Sequence, residues 1–316
     1  MRVLLWRLAS SFVAALVGLG TVVFAVPAHA MNAHALASTV RRPSAPVAST
    51  YVALGDSFTS GPAIPTQLSP NTVPSAPSAC GRSSKNYPSL VARELGLHLT
   101  DVSCLSAKTE DVTKSEGPGI PAQLSALNQS TSLITLGIGG NDLGYTTIAA
   151  NCAALTPWGP TRVGKTCEAH YTDNGVDQLA RTIHDLGSKV RTILNDIRVR
   201  AHNARVFVIG YPDVVPPSGP GCWPDLPFTR SDLSYLRGVE ANLNSMLSTV
   251  ARAAGDVYVN MAGPSAAHSA CTDRNTRWVS PILPFPGSYP LHPDSTGMVG
   301  MARVLEAAMT GDRNGR

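Results

Sequence analysis

The stretch Thr50-Tyr51-Val52-Ala53-Leu54-Gly55-Asp56-Ser57-Phe58-Thr59-Ser60-Gly61 changes character in its middle. Tyr51–Leu54 is an apolar run of strand-forming residues, and from Gly55 onward a glycine-bounded turn carries a serine toward a helix. The same change recurs where Leu97–Cys104 meets Leu105 to Thr109, and where Leu133–Ile138 meets Gly139-Gly140-Asn141-Asp142. Two further strands are expected at Val206–Ile209 and Val257–Asn260.

Helical patterns lie between these runs. One apolar stripe, at spacings of three and four, passes through Val176, Leu179, Ile183, Leu186, Val190, Ile193 and Ile197. Another helix is expected to start at Thr229, with Asp232 three residues on and Phe228 placed to pack against Leu233. Strands alternating with helices imply a parallel sheet, because each parallel connection needs a crossover and each helix must bury its stripe. The expected fold class is therefore α/β, a three-layer α/β/α sandwich on a five-stranded parallel sheet. In such sheets sites form at the carboxyl ends of the strands, which gathers Gly55–Gly61, Cys104–Thr109 and Gly139–Asp142.

Each of these segments carries a group suited to acyl chemistry. Ser57, at a strand-to-helix turn, exposes a hydroxyl beside backbone N–H groups that can hold an oxyanion; the same placement suits an ordinary N-cap serine. Asn141 offers an uncharged amide donor, or simply a turn asparagine. His292, in Leu291-His292-Pro293-Asp294 ahead of a helix carrying Met298, Met301 and Leu305, is a base for a serine hydroxyl or a capping residue. A GxSxG nucleophile elbow, a phosphate-binding loop and a dinucleotide fingerprint do not occur in the chain.

Taken in order, these segments resemble the blocks of the SGNH (GDSL-type) hydrolase family: GDS near the start, a glycine-containing second block, GxND in the middle and DxxH near the end. The resemblance spans about Thr50 to Met309, is nearest to secreted actinobacterial lipases and esterases, and implies a flavodoxin-like sheet of strand order 2-1-3-4-5. It makes Ser57 the nucleophile, His292 the base and Asn141 an oxyanion donor. Two positions depart from the pattern. Ser106 stands where the family has the oxyanion glycine; its N–H survives, but serine reaches glycine's backbone angles only with strain. Tyr289 stands where the aspartate partner of the histidine is expected, so a Ser-His dyad follows, with the main-chain carbonyl of Tyr289 as the group that orients His292.

The first thirty residues read as a secretory signal, with Arg2 and Arg7 ahead of an apolar run and Ala28-His29-Ala30 at its end. Residues 31–49 read as an Ala/Ser/Pro/Thr-rich linker, 50–311 as one domain and 312–316 as a tail. Cys80, Cys104, Cys152, Cys167, Cys222 and Cys271 all follow the signal, and six exported cysteines imply three disulfides with 15 possible pairings. The resemblance selects Cys80 with Cys104, Cys152 with Cys167 and Cys222 with Cys271. Residues 1–30 hold two arginines and no acid, so the +4 of the whole chain falls to +2 without them. That balance excludes an electrostatic case for nucleic acid, and no cofactor or metal is implied.

The expected activity is hydrolysis of small-molecule or lipid esters, short to medium acyl chains favoured, by a secreted monomer that does not insert in membranes and is either extracellular or retained at the cell envelope. Trp158, Trp223 and Phe228, on two long connections, are candidates to line the acyl pocket. The alternatives are a carbohydrate O-deacetylase and a non-catalytic acyl- or glycan-binding protein on the same fold.

Overall fold

Full burial on both faces marks the strands that form the middle of the sheet. In β1 (Thr50–Gly55) every residue after Thr50 is buried, and in β3 (Leu133–Gly137) all are, the mark of parallel strands covered by helices on both sides. The computed structural model describes residues 49–71, 76–153, 164–282 and 287–311, all within one compact unit. The signal, the tail and all of the linker but Ser49 lie outside the described residues, as does Trp158.

With β2 (His98–Asp101), the β4–β5 hairpin (Thr172–Asp173 and Val176–Asp177), β6 (Arg205–Ile209) and β7 (Val257–Val259), the main sheet runs β2-β1-β3-β6-β7, with all its pairs parallel. Counted along the chain, this is the expected order 2-1-3-4-5. The helices are α1 (Ser57–Ser60), α2 (Tyr87–Leu95), α3 (Thr109–Thr113), α4 (Gly140–Leu143), α5 (Tyr145–Cys152), α6 (Cys167–Tyr171), α7 (Gln178–Arg200), α8 (Arg230–Ala253), α9 (Ala262–Ser265) and α10 (Ser295–Gly311). Two packed pairs, α7 with α8 and α2 with α10, flank the sheet.

Local chemistry sets the boundaries. Helix α7 starts after Asp177, whose side chain accepts the N–H groups of Leu179 and Ala180. Val176 therefore drops out of the expected stripe and sits exposed in the hairpin, while the other six stripe residues are buried. Helix α8 begins at its expected cap, Thr229 accepting from the Asp232 N–H at 3.2 Å. The second strand is shorter than expected, because Asp101 accepts from both N and Oγ of Ser103 and turns the chain. All three disulfides pair as the resemblance implied. Among the described residues no helix is long and apolar enough to cross a membrane.

Candidate active site

Strand β1 delivers Ser57 to the carboxyl edge of the sheet. Asp56 caps α1 by accepting the Phe58 N–H at 2.9 Å, so Ser57 is the first helical residue and its own N–H has no partner within the helix. Gly55 is clamped at both backbone groups by Gln123, N–H to Oε1 at 2.7 Å and C=O from Nε2 at 2.9 Å. A side chain at Gly55 would run into Thr59 Oγ1 and the Gly137 carbonyl, so the close approach of β1 to β3 at this turn needs glycine.

His292 reaches this turn from the far end of the chain. Its Nε2 lies 2.8 Å from Ser57 Oγ and its Nδ1 lies 2.7 Å from the Pro290 carbonyl oxygen. A carbonyl only accepts, so the proton sits on Nδ1 and Nε2 is left as acceptor for the serine hydroxyl. Both side chains are buried, and burial lowers the histidine below its ordinary 6.5, the Pro290 carbonyl opposing this in part. The Phe58 ring lies against the imidazole at 4.8 Å.

The orienting carbonyl is thus that of Pro290, not Tyr289 as expected. The Tyr289 carbonyl is engaged by the main-chain N–H of His292 at 3.2 Å, and its exposed ring meets the imidazole edge-on at 6.0 Å. The physical reason is Leu291, whose left-handed backbone (φ 59°) reverses the chain so that the carbonyl two residues before His292 faces its ring. The 278–280 segment braces this turn: Leu291 N–H donates to Ser280 O, and Ser280 N–H to His292 O, each at 2.9 Å.

Ser106 stands in the turn closed by Ala107 N–H donating to Cys104 O, and has φ 69°. That is the third position of a type II turn, where positive φ is required and glycine is the usual choice. Serine therefore holds here a backbone shape that glycine adopts freely, at a cost of roughly 1–2 kcal/mol. The Cys80–Cys104 bridge and a bond from Leu105 N–H to Cys80 O hold the near end of this turn. Asn141 Nδ2 donates to Ala107 O at 3.0 Å, joining the second and third blocks. Its neighbour Asp142 accepts from N and Oγ1 of Thr109 at 2.9 and 2.6 Å and strengthens the same joint.

Beyond Gln123 and Pro290, a further residue of the site was missed from sequence. Tyr211, just past β6, donates from its hydroxyl to Asp56 at 2.5 Å and accepts the Gly140 N–H at 2.8 Å. It thereby bolts the serine turn to the asparagine turn. Asn244 fixes its backbone through two bonds, and a side chain at Gly140 would press on its ring. Burial raises Asp56 from 3.8 to about 7, against the opposing pull of the Tyr211 and Phe58 bonds. The only signal for Tyr211 was its place after a strand, in Gly210-Tyr211-Pro212.

A cavity of about 30 Å³ is walled mostly by apolar side chains, with Leu291, the chain neighbour of His292, among them together with Tyr145, Ile148, Val214, Val215 and Phe228. Phe228, one of the expected pocket residues, is in this wall. Trp223, next to Cys222 of the Cys222–Cys271 bridge, does not line the cavity and is about half exposed.

A model of GDSL-like lipases/acylhydrolases matches residues 53–299, a span that begins inside β1 and ends in α10, past His292. The chain belongs to the GDSL-like lipase/acylhydrolase family. It is 35% identical over 258 residues to Lipase 2 of Streptomyces coelicolor, covering 80% of this chain and 83% of that one. Its fold is similar to that of a phospholipase A1 from Streptomyces albidoflavus, at TM-score 0.66 and 28% identity over 82% of this chain and 99% of that one. An extracellular lipase from Streptomyces rimosus gives TM-score 0.64 and 25% identity, over 83% and 100% of the two chains. Within this family the protein is a carboxylic ester hydrolase, a lipase or esterase.

Proposed function

We propose that this GDSL-family enzyme hydrolyses esters of short to medium acyl chains through a Ser57-His292 dyad and an acyl-enzyme. The observation that carries the reading is the chain of contacts from Ser57 Oγ through His292 to the Pro290 carbonyl. Ser57 Oγ attacks the ester carbonyl carbon while His292 Nε2 takes its proton, and the tetrahedral oxyanion is held by the N–H groups of Ser57 and Ser106 and by Asn141 Nδ2. The imidazolium then returns the proton to the leaving alcohol, and water repeats both steps to release the acid. The Pro290 carbonyl fixes the reactive tautomer but stabilises the imidazolium less than a carboxylate does.

The small cavity that Leu291 helps to wall supports short to medium chains, since its volume of about 30 Å³ leaves little room for a longer one. Three disulfides, and an apolar N-terminal stretch ending in Ala28-His29-Ala30, support a secreted enzyme.

The test is hydrolysis of p-nitrophenyl esters from acetate to palmitate by the mature protein beside Ser57→Ala. Turnover on the shorter esters that disappears in the variant is expected. A folded protein with no turnover on any ester would overturn the reading in favour of an acyl-binding protein.

A further inference from the structure

All three polar atoms of Ser103 are held by two charged side chains. Asp101 Oδ1 accepts the Ser103 N–H at 3.0 Å and its hydroxyl at 2.6 Å, while Arg82 Nε donates to the Ser103 carbonyl at 2.6 Å. Ser103 is fully buried and Arg82 nearly so, although an arginine is seldom taken out of water unless its charge is answered. The two charges support each other. Burial raises the Asp101 carboxyl and lowers the Arg82 guanidinium, and in each case the other residue is the first to oppose the shift.

Ser103 leads directly into the second block. Cys104 follows it, and the Cys104 carbonyl closes the turn that carries Ser106 at φ 69°. A strained turn keeps its shape only where its surroundings fix it from several sides. Asn141 and Asp142 fix the far end, through Ala107 and Thr109. At the near end the Cys80–Cys104 bridge is joined by the grip on Ser103. This grip also reaches the nucleophile. Asp101 Oδ2 accepts from Asn86 Nδ2 at 2.7 Å, and the same amide donates at 3.2 Å to the carbonyl of Ser60, the last residue of the helix that Ser57 begins. The N–H of Ser83, next to Arg82, donates to that carbonyl as well, at 2.8 Å. Tyr211 bolts the serine turn to the asparagine turn; these bonds tie the serine helix to the second block.

Resting on the ester-hydrolase reading above, we propose that Arg82 and Asp101 are positioning residues that set the Ser106 N–H at the distance from Ser57 at which it can hold the tetrahedral oxyanion. Neither side chain touches the reacting atoms. Their charged bonds suit the task, being shorter and stronger than neutral ones, whereas burying charge is a poor route to stability alone. A displacement of about 1 Å at a reacting group costs about 100-fold in rate. The oxyanion exists only after attack, so the loss falls on kcat and leaves substrate binding alone.

The test measures kcat and KM on p-nitrophenyl butyrate for the mature protein and its Arg82→Met, Arg82→Lys and Asp101→Ala variants. Beside these stand inhibition by 1,1,1-trifluorohexan-2-one, to which a serine hydroxyl adds to give a hemiketal oxyanion, and by 1,1,1-trifluorohexan-2-ol, which has no carbonyl to attack. Arg82→Met and Asp101→Ala should lower kcat by about 10- to 100-fold, and weaken the ketone by the same factor. KM and inhibition by the alcohol should stay within about 2-fold. Arg82→Lys, which keeps a cation able to donate to the same carbonyl, should regain most of the loss. A lower melting temperature with kcat and ketone inhibition unchanged overturns the proposal, as does a loss that falls on KM. Where the larger changes prevent folding, Asp101→Asn decides by the same readouts, with a loss of at least about 3-fold expected from removal of the charge. Absence of ester turnover in wild type overturns the hydrolase reading itself, whereas active wild type with unaffected variants overturns only the positioning role.

Discussion

The turn that presents Ser57 and the turn that presents His292 meet at one hydrogen bond but are built in opposite ways. The serine turn leaves a central strand and is fixed from every side: Asp56 N–H donates to Gly137 O, Asp56 O accepts from Thr59 and Ser60, Gln123 clamps Gly55 and Tyr211 holds the Asp56 carboxyl. The histidine turn belongs to no strand or helix, passes through a left-handed leucine and offers its ring one carbonyl. A nucleophile must hold its place relative to both the attacked carbon and the oxyanion donors, whereas a base needs a tautomer and a direction. The two turns still act as one unit on the reacting proton. His292→Ala should therefore lower kcat about as far as Ser57→Ala, by roughly 10⁴- to 10⁶-fold, and the double variant should be no worse than either. Single-turnover rates on p-nitrophenyl acetate decide this, and additive losses would show that the two turns contribute separately.

Asn141 and Tyr211 test how much of the serine side is rigid framework. Asn141→Ala should cost about 100- to 1,000-fold in kcat with little change in KM, the mark of a donor used only in the transition state. An unchanged rate would remove Asn141 from the oxyanion site. Tyr211→Phe leaves the Gly140 N–H and the Asp56 carboxyl without their partner, so it should lower stability by about 1–3 kcal/mol. A fall in kcat of roughly 10-fold should accompany it, because a small misplacement of the serine turn against the asparagine turn is felt by the chemistry. A stability loss with kcat intact would make Tyr211 part of the scaffold alone.

The two turns also respond to pH with opposite sign. Burial depresses His292 below 6.5, so activity should fall as pH drops through a value under 6.5, and the stability it contributes is present above 6.5 and lost below it. Asp56 is raised from 3.8 to about 7, so the folded chain keeps a proton that the unfolded chain releases. Its contribution therefore declines between pH values of about 4 and 7 and is level above that. Asp56→Asn removes the decline. Denaturant midpoints measured at pH 5 and pH 8 should rise more with pH in Asp56→Asn than in wild type, and parallel curves would contradict the shift assigned to Asp56.

How much of each turn was legible in the sequence follows from the same contrast. The strand-turn-helix change at Gly55 is local, and the alternation of strands such as Leu133–Ile138 with α7 and α8 carries the parallel sheet, while its strand order came only with the family resemblance. Ser57, Asn141 and Ser106 then come to the carboxyl edge as a consequence of topology. Tyr211 was hidden because its partner Asp56 is 155 residues away and a tyrosine after a strand has no chemical signature. The choice between the Tyr289 and Pro290 carbonyls was hidden for a different reason. A carbonyl belongs to every residue, and only the left-handed backbone at Leu291, which nothing in its side chain announces, selects one.

The smallest effect concerns Ser106, one of the two positions where the chain departs from the family pattern. Ser106 adopts φ 69° in a turn that glycine would occupy freely, so Ser106→Gly relieves steric strain in the folded state while loosening the unfolded chain. These terms oppose each other. The strain relieved, roughly 1–2 kcal/mol, exceeds the entropy cost of about 0.5–1 kcal/mol, so a net gain of about 0.5–1 kcal/mol is expected. Because the main-chain N–H proposed as an oxyanion donor is unchanged, kcat on p-nitrophenyl butyrate should stay within about 2-fold of wild type. Denaturant melts alongside that assay separate the two quantities. A large gain in kcat would mean that the Ser106 side chain obstructs the oxyanion site, and a large loss would mean that its hydroxyl contributes a donor there.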